Sequence, residues 1–336
     1  MDAVRFWGIL SPGRVRQGAG NREEDCVLRV GFIGLGSMGN AVCRNILRAG
    51  FDLVVHDVRA EAQDPLVAAG ATAAATPKQV IDQCDMVGTM VFGPKEIEDV
   101  ARGENGLFAG NCDGKVWLDL TTSRPTLMRE LGAAFAELGG LPVDAPVTGS
   151  LRSAIRGDMI MFVGGTDEAV ERIRPVLEAI GEPRRVGAHG NGCVAKLVNN
   201  QLWKIHAAAV GEAMVTAKLA GLEPDVWWEV MKGGAADSFV LHQDVPAVFA
   251  GHYDPSFRLA LCLKDLDLIA ELLEQTGTRA ELTRATHERF REAAERYGED
   301  AGDMSVVRVI EDDAGVELRV DRDWVAPWEV KHADDA

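Results

Sequence analysis

Leu28-Arg29-Val30-Gly31-Phe32-Ile33-Gly34-Leu35-Gly36-Ser37-Met38-Gly39 is the stretch on which the reading of this chain turns. Its first half is an apolar run of strand length. Its second half opens a segment with helical spacing through Met38, Val42 and Ile46, which Gly50 stops. The glycines between them spell G-x-G-x-x-G. With 36 glycines among 336 residues, that spacing arises by chance about 0.4 times per chain, so the pattern alone decides little. Its context decides more, because the loop follows a strand signal, opens a helix signal, and is followed about 20 residues later by Asp57 at the end of a second strand signal, FDLVVHD. Gly34 suits a tight turn, Gly36 a close backbone approach to a pyrophosphate, and Gly39 the packing of helix on strand, while the helix N-terminus favours negative charge. The plainer reading, a strand-to-helix turn without a ligand, is disfavoured by this context.

These residues point to a dinucleotide. Asp57 can accept both hydroxyls of an adenosine ribose and would repel a 2′-phosphate, which favours NAD over NADP; Arg59 beside it argues the other way, since it could pair with that phosphate. NAD or NADP is expected, NAD first.

Outward from the loop, strand and helix signals alternate. Helix signals over about 60–69 lead to a short strand after Gly70, a helix opened by Pro77, the strand DMVGTMV, a helix over 94–100, the strand KVWLDL and a helix entered through Pro125. Such alternation over about 150 residues implies βαβ units, hence a doubly wound parallel sheet with helices on both faces. GDMIMFVGG reads as a further strand and 167–180 as a helix; from there to Tyr297 helix signals are nearly continuous, so the second half is expected to be all-α. The glycines of GNG (190–192) read as the hinge. The expected organisation is a loose leader (1–26), a dinucleotide-binding domain (27–190), a helical substrate and dimerisation domain (191–320) and a tail (321–336).

Composition narrows the partners. With 52 Asp+Glu against 35 Lys+Arg the formal charge is -17, which would repel nucleic acid and anionic lipid. An anionic small substrate then requires a local positive or hydrogen-bonding spot. Cys26, Cys43, Cys84, Cys112, Cys193 and Cys262 form no paired spacing, so neither a disulfide framework nor zinc is expected, and a reducing cytoplasm fits. His56, His189, His206 and His242 show no ligand spacing with carboxylates, and no metal is expected. The first residues lack the apolar core and cleavage site of a secretory signal. The longest apolar run, 193–220, is interrupted by Lys196, Lys204, Glu212 and Lys218, which argues for a buried helix and against a membrane span.

That run opens with Gly190-Asn-Gly-Cys-Val-Ala-Lys196-Leu-Val-Asn199-Asn200. Lys196 and Asn200 stand at i and i+4 and share one helix face, which Trp203 and Ala207 extend. Burial disfavours the charged form of a lysine and brings it toward the range useful for proton transfer. A lone lysine of this kind is nonetheless more often a snorkelling or salt-bridged residue.

Five blocks taken together resemble the 3-hydroxyisobutyrate dehydrogenases and their β-hydroxyacid dehydrogenase relatives, over about 27–320: GFIGLGSMG, DLTTSRP (119–125), DAPVTGS (144–150), GNGCVAKLVNN and FRLALCLKDLDL (257–268). The resemblance implies a Rossmann-type domain followed by a helical domain, with Lys196 as the catalytic lysine on the linking helix and Asn200 helping to hold it and the substrate hydroxyl. It also implies that Met38, Thr122 and Lys264 contact the cofactor, that Val91 lines its pocket, and that Thr148, Gly149 and Ser150 receive the carboxylate of a small-molecule substrate. The family commonly reads S-G-G where this chain has Thr148-Gly149-Ser150, and D-x-S-T where it has Asp119-Leu120-Thr121-Thr122, so hydroxyls are kept and the pocket is altered.

Three rivals are weighed against that reading. A 6-phosphogluconate-type enzyme resembles K-x-x-H-N at the lysine block, where this chain has Asn199 in place of histidine. Imine reductase relatives commonly replace the lysine that is present here. A non-catalytic scaffold of the same fold has no need of that lysine. The long apolar helix and its neighbours carry more apolar surface than one small domain readily covers, so a homodimer or homotetramer is expected.

Overall fold

The computed structural model describes residues 28–321. The expected leader, with Cys26, and the expected tail beyond Asp321 lie outside the described residues.

Six strands, β1 (Val30–Ile33), β2 (Leu53–His56), β3 (Thr72–Ala73), β4 (Met86–Thr89), β5 (Val116–Asp119) and β6 (Leu141–Asp144), run parallel in the order β3-β2-β1-β4-β5-β6. β1, β2, β4 and β5 are buried at every position. Helices cover both of their faces, which is why they read as unbroken apolar runs and not as alternations. One face packs Phe32, Val42, Ile46 and Val55, the other Ile33, Val54, Ile81, Trp117 and Phe135. β2 flanks β1 on one side and β4 on the other, so chain direction across the sheet reverses there and opens a crevice beyond the strand C-termini.

The sheet is mostly parallel. β8 (Met159–Gly165) runs antiparallel to β6 and to the short β7 (Val147–Thr148), and β9 (Gly181–Gly187) adds a parallel edge to β8. β9 escapes a hydrophobic reading because its residues, GEPRRVG, lie at a half-exposed edge and are held by backbone ladder bonds. The helical signal over 167–180 is two helices, Asp167–Arg172 and Arg174–Ile180. Pro175 has no N–H to continue the first and sits in the opening turn of the second. Over 60–69 a 3-10 turn, Ala60–Ala62, precedes a helix, Asp64–Ala68, for the same reason at Pro65.

Beyond β9 every regular element among the described residues is helical. The helix Asn191–Leu219 has 29 residues, roughly 44 Å at 1.5 Å per residue, and the helices Leu259–Thr276, Glu281–Tyr297 and Ser305–Ala314 pack on it. The architecture is thus a Rossmann-like domain followed by a helical domain. The last residue of β6 joins them: Asp144 Oδ1 accepts from Gly190 N at 2.7 Å and Oδ2 from Cys193 N at 2.9 Å. Gly190, at φ +89, makes the turn into the helix. Gly192 lets the first turn press against the sheet, since a Cβ there would meet Phe162 O at 2.3 Å. The GNG stretch is therefore a packed junction.

Candidate active site

The three glycines of the loop differ in what they serve. A Cβ on Gly34, whose φ is +94, would meet Met90 O at 2.2 Å, and one on Gly39 would meet Gly34 O at 2.0 Å. Both are required by the fold itself. A Cβ on Gly36 would meet no protein atom within 4 Å, so the chain leaves open space above the glycine that starts the helix. That helix, Ser37–Arg48, has no side-chain cap and no acidic residue in its first turn, and Gly36 and Ser37 are exposed. An uncapped N-terminus under open space fits the pyrophosphate of a dinucleotide.

Leu35 is buried, and its N–H donates to Asp57 Oδ2 at 2.7 Å. Met38 is half-buried against the core beneath the loop. Arg59 reaches Asp57 Oδ1 with its backbone N at 2.9 Å and its Nε at 3.3 Å. Burial pushes the Asp57 carboxyl up, but the N–H groups of Arg59 and Leu35 and the Arg59 guanidinium outweigh it, and the group is held below its ordinary value. Oδ1 accepts twice from Arg59 and Oδ2 once from Leu35, so Oδ2 keeps a lone pair for a ribose hydroxyl.

Across the crevice, Val91 N donates to Thr121 Oγ1 at 3.2 Å, tying the loop after β4 to that after β5. The amine of Lys264, on the helix Leu259–Thr276, reaches Thr122 O at 3.4 Å. Val91, Thr122 and Lys264, which the resemblance places against the cofactor, are therefore drawn together from both domains. Beneath them Asp119 is 1% exposed and accepts from Thr89 Oγ1 at 2.7 Å. Burial lifts its carboxyl to about 7, against Thr89 and Thr121 and with help from Asp144.

Lys196 stands less than two turns into the long helix. It retains some exposed surface, yet burial pushes its amine down to about 8; Lys204 and Lys264 act in the same direction and Asp265 opposes. Asn200 is fully enclosed, and its Nδ2 donates to Asp265 Oδ2 at 2.6 Å. Lys264 Nζ lies 2.8 Å from Asp265 Oδ1, an ion pair whose angles fall short of a hydrogen bond. Burial pushes the Asp265 carboxyl up, but Lys264, Lys196 and Lys204 together hold it below its ordinary value. Asn199 Nδ2 bridges Asn200 Oδ1 at 3.1 Å and Thr148 Oγ1 at 3.3 Å, so the Thr148-Gly149-Ser150 turn is tied to the lysine helix. Gly149 adopts φ +128, a conformation that L side chains rarely take. Trp203 is half-buried, stacked edge-on to Phe257 with centroids 5.2 Å apart, and donates to Asp244 Oδ2 at 2.8 Å.

Asp265, Asn199 and Lys204 join this cluster although the sequence reading gave none of them a place in the site. Asp265 sits in the run Lys264-Asp265-Leu266-Asp267, where neighbouring charges hide it as a single buried carboxylate. Asn199 was passed over because the i to i+4 rule selects Asn200. Among the described residues no group of three or more His, Cys, Asp or Glu side chains could hold a metal, and no helix is long and apolar enough to cross a membrane.

With this geometry in view, residues 29–197 match the family described as NAD binding domain of 6-phosphogluconate dehydrogenase, and residues 190–310 match NAD-binding of NADP-dependent 3-hydroxyisobutyrate dehydrogenase. L-threonate dehydrogenase of Cupriavidus necator is 34% identical over 293 residues, covering 86% of this chain and 97% of that protein. The 2-hydroxy-3-oxopropionate reductase of Escherichia coli is 31% identical over 285 residues, covering 84% and 97%. The structure of Mycobacterium tuberculosis 3-hydroxyisobutyrate dehydrogenase with L-serine superposes with a TM-score of 0.78 at 26% identity, covering 84% of this chain and 99% of that one. The fold and site define an NAD(P)-dependent oxidoreductase acting on a CH–OH group. The chain belongs to the β-hydroxyacid dehydrogenase family.

Proposed function

We propose that the chain interconverts a short 3-hydroxyacid and its semialdehyde or keto acid, with Lys196 as general acid and base and with NAD preferred over NADP. The observation that carries this reading is the amine of Lys196, brought down to about 8 by burial and set beside the Asn200–Asp265 pair. A bound nicotinamide supplies the hydride chemistry. In oxidation, neutral Lys196 takes the hydroxyl proton as the substrate carbon gives up its hydride; in reduction, the ammonium returns that proton to the forming alkoxide, where its charge is worth most. Asn200 and Asp265 hold the lysine face in place. The hydroxyls of Thr148 and Ser150 and the backbone N–H groups of their turn receive the substrate carboxylate, a neutral cradle suited to an anion on an acidic protein. Asp57, kept ionised and partly filled by Leu35 and Arg59, supports NAD over NADP.

L-threonate, 2-hydroxy-3-oxopropionate and L-serine in the names of relatives are all small polar acids, which supports the substrate class. Exposed Leu202, Leu219, Val230, Phe239 and Leu282 support a homo-oligomer. The test mixes purified protein with NAD+ or NADP+ and a panel of short 3-hydroxyacids, following reduced-cofactor absorbance for the parent and for Lys196→Ala. Turnover that vanishes in the variant while cofactor still binds supports the reading. Near-normal turnover without the lysine removes Lys196 from the mechanism, and silence of the parent on every acid, with cofactor bound, turns the reading toward imine reduction or a scaffold.

A further inference from the structure

The long helix carries a second, more deeply buried lysine. Lys204 is 1% exposed, no oxygen accepts from its amine among the described residues, and the Cys262 thiol faces it. Three rings enclose that amine: Nζ lies 3.3 Å from the centroid of Trp203, 4.6 Å from that of Phe257 and 5.6 Å from that of Phe290. Trp203 donates its Nε1–H to Asp244, which polarises the indole so that its face holds a cation more strongly. A buried ammonium that aromatic faces stabilise and no oxygen neutralises at contact keeps its field inside the protein, where screening is weak.

The groups around it come from several packed elements. The helix Leu259–Thr276 turns Cys262 and Asp265 toward Lys204, and the turn before Ser305–Ala314 supplies Asp303. Asp244 joins the helices Phe239–Gln243 and Val245–Ala250, and Asp254 faces both Asp244 and Asp303. The helix Glu281–Tyr297 contributes the Phe290 ring. Burial pushes the Asp303 carboxyl well up and that of Asp244 up to about 7. Asp265 is ionised but is shared with Lys196 and Lys264. The groups acting on Lys196 are Asp265, Lys204 and Lys264. Lys204 stands two turns beyond Lys196, about 12 Å along the helix axis.

We infer that Lys204 is a positioning residue for the reaction proposed above: a buried, ring-enclosed cation that holds Lys196 toward its neutral form without touching the substrate. This rests on Lys196 being the proton carrier. The Asp265 carboxylate, held by Asn200, pulls the lysine toward its charged form, and Lys204 offsets that pull from the same helix.

The test is the pH profile of kcat/KM for hydroxyacid oxidation in Lys204→Met, Lys204→Gln and Lys204→Arg beside the parent. Oxidation requires neutral Lys196, so removing a nearby cation moves the acidic limb to higher pH. Two unit charges about 12 Å apart at an effective dielectric of about 20 set the shift at about one pH unit. The high-pH plateau is expected to stay within a few-fold of the parent, and Lys204→Arg is expected to return the limb toward its parental position. A merely structural role would lower the plateau and the melting temperature at every pH and leave the limb in place. A stationary limb in the folded Met or Gln variant overturns the proposal. So does an arginine variant that shifts as far as methionine, or the failure of both neutral variants to fold, which would commit Lys204 to the fold alone. If Lys196→Ala keeps turnover in the same assay, the reading of Lys196 has failed instead; a stationary limb with lysine-dependent turnover refutes only the role of Lys204.

Discussion

Replacing Asp265 with asparagine removes one charge from the most tightly joined part of the site and leaves its shape nearly unchanged. Asp265 is 2% exposed, accepts from Asn200 at 2.6 Å and pairs with Lys264 at 2.8 Å. A hydrogen bond to a buried charge contributes about 1.5–3 kcal/mol, and stranding the partner of a buried pair costs about 3–5 kcal/mol. The side chain of Lys264 keeps 15% of its exposure and can recover some hydration, so a loss of about 3 kcal/mol is expected, read as a lower urea midpoint at unchanged slope. Because the folded carboxyl titrates below its ordinary value, the difference between parent and variant is full above about pH 4 and fades as pH falls through the folded value. Activity moves separately. Asp265 is the group that raises Lys196 against burial. Charges facing across helices whose axes lie about 8 Å apart interact by about 2 kcal/mol at an effective dielectric of about 20, or about 1.5 pH units. The acidic limb of kcat/KM for oxidation should therefore move down by about that much, opposite in sign to the Lys204 variants. A folded, active Asp265→Asn whose limb stays put or moves up would refute the assignment of Asp265 as the partner that sets Lys196.

The other predictions separate fold from function elsewhere in the site. Gly36→Ala places its methyl in open space and is expected to leave stability within about 0.5 kcal/mol while weakening NAD binding in a fluorescence titration. Gly39→Ala drives its methyl onto Gly34 O and is expected to destabilise by about 1–3 kcal/mol; unchanged NAD binding in a stable Gly36→Ala would show that the open space is not a ligand site. Asp119 titrates at about 7 when folded, above its unfolded value, so the stability it contributes at low pH is lost as pH rises from about 4 to 7, by up to about 4 kcal/mol. Asp119→Asn lacks this loss, so its melting temperature relative to the parent should climb between pH 5 and 8, and a constant difference would contradict the burial argument.

The sheet was legible because strands covered on both faces must be apolar throughout, and VGFI, LVVH and VWLD carry little else. Proline and glycine marked most helix ends for equally local reasons. β9 was not legible, since an edge strand held by backbone bonds needs no apolar side chains and GEPRRVG has almost none. The antiparallel turn of β8 was likewise invisible: MIMFVGG states that a strand is buried but not which way it runs.

The site divides along the same line. Gly34, Gly36 and Gly39 were readable because their spacing is imposed by one turn of backbone, and Lys196 was readable because a charge in an apolar helix is conspicuous. The same conspicuousness belonged to Lys204, yet a charge within an apolar run says only that something must balance it. What balances it lies on another helix, and pairing Asn200 with Asp265 spans 65 residues of sequence. The arrangement then explains the order of the charges. On the proposed mechanism Lys196 must change protonation state, and a full private counter-ion would fix it as an ammonium. Asp265, the carboxylate that acts on Lys196 among the described residues, is also claimed by Lys264 and Lys204, so its hold on Lys196 is diluted, and burial carries the amine into the range where it could both take and return a proton.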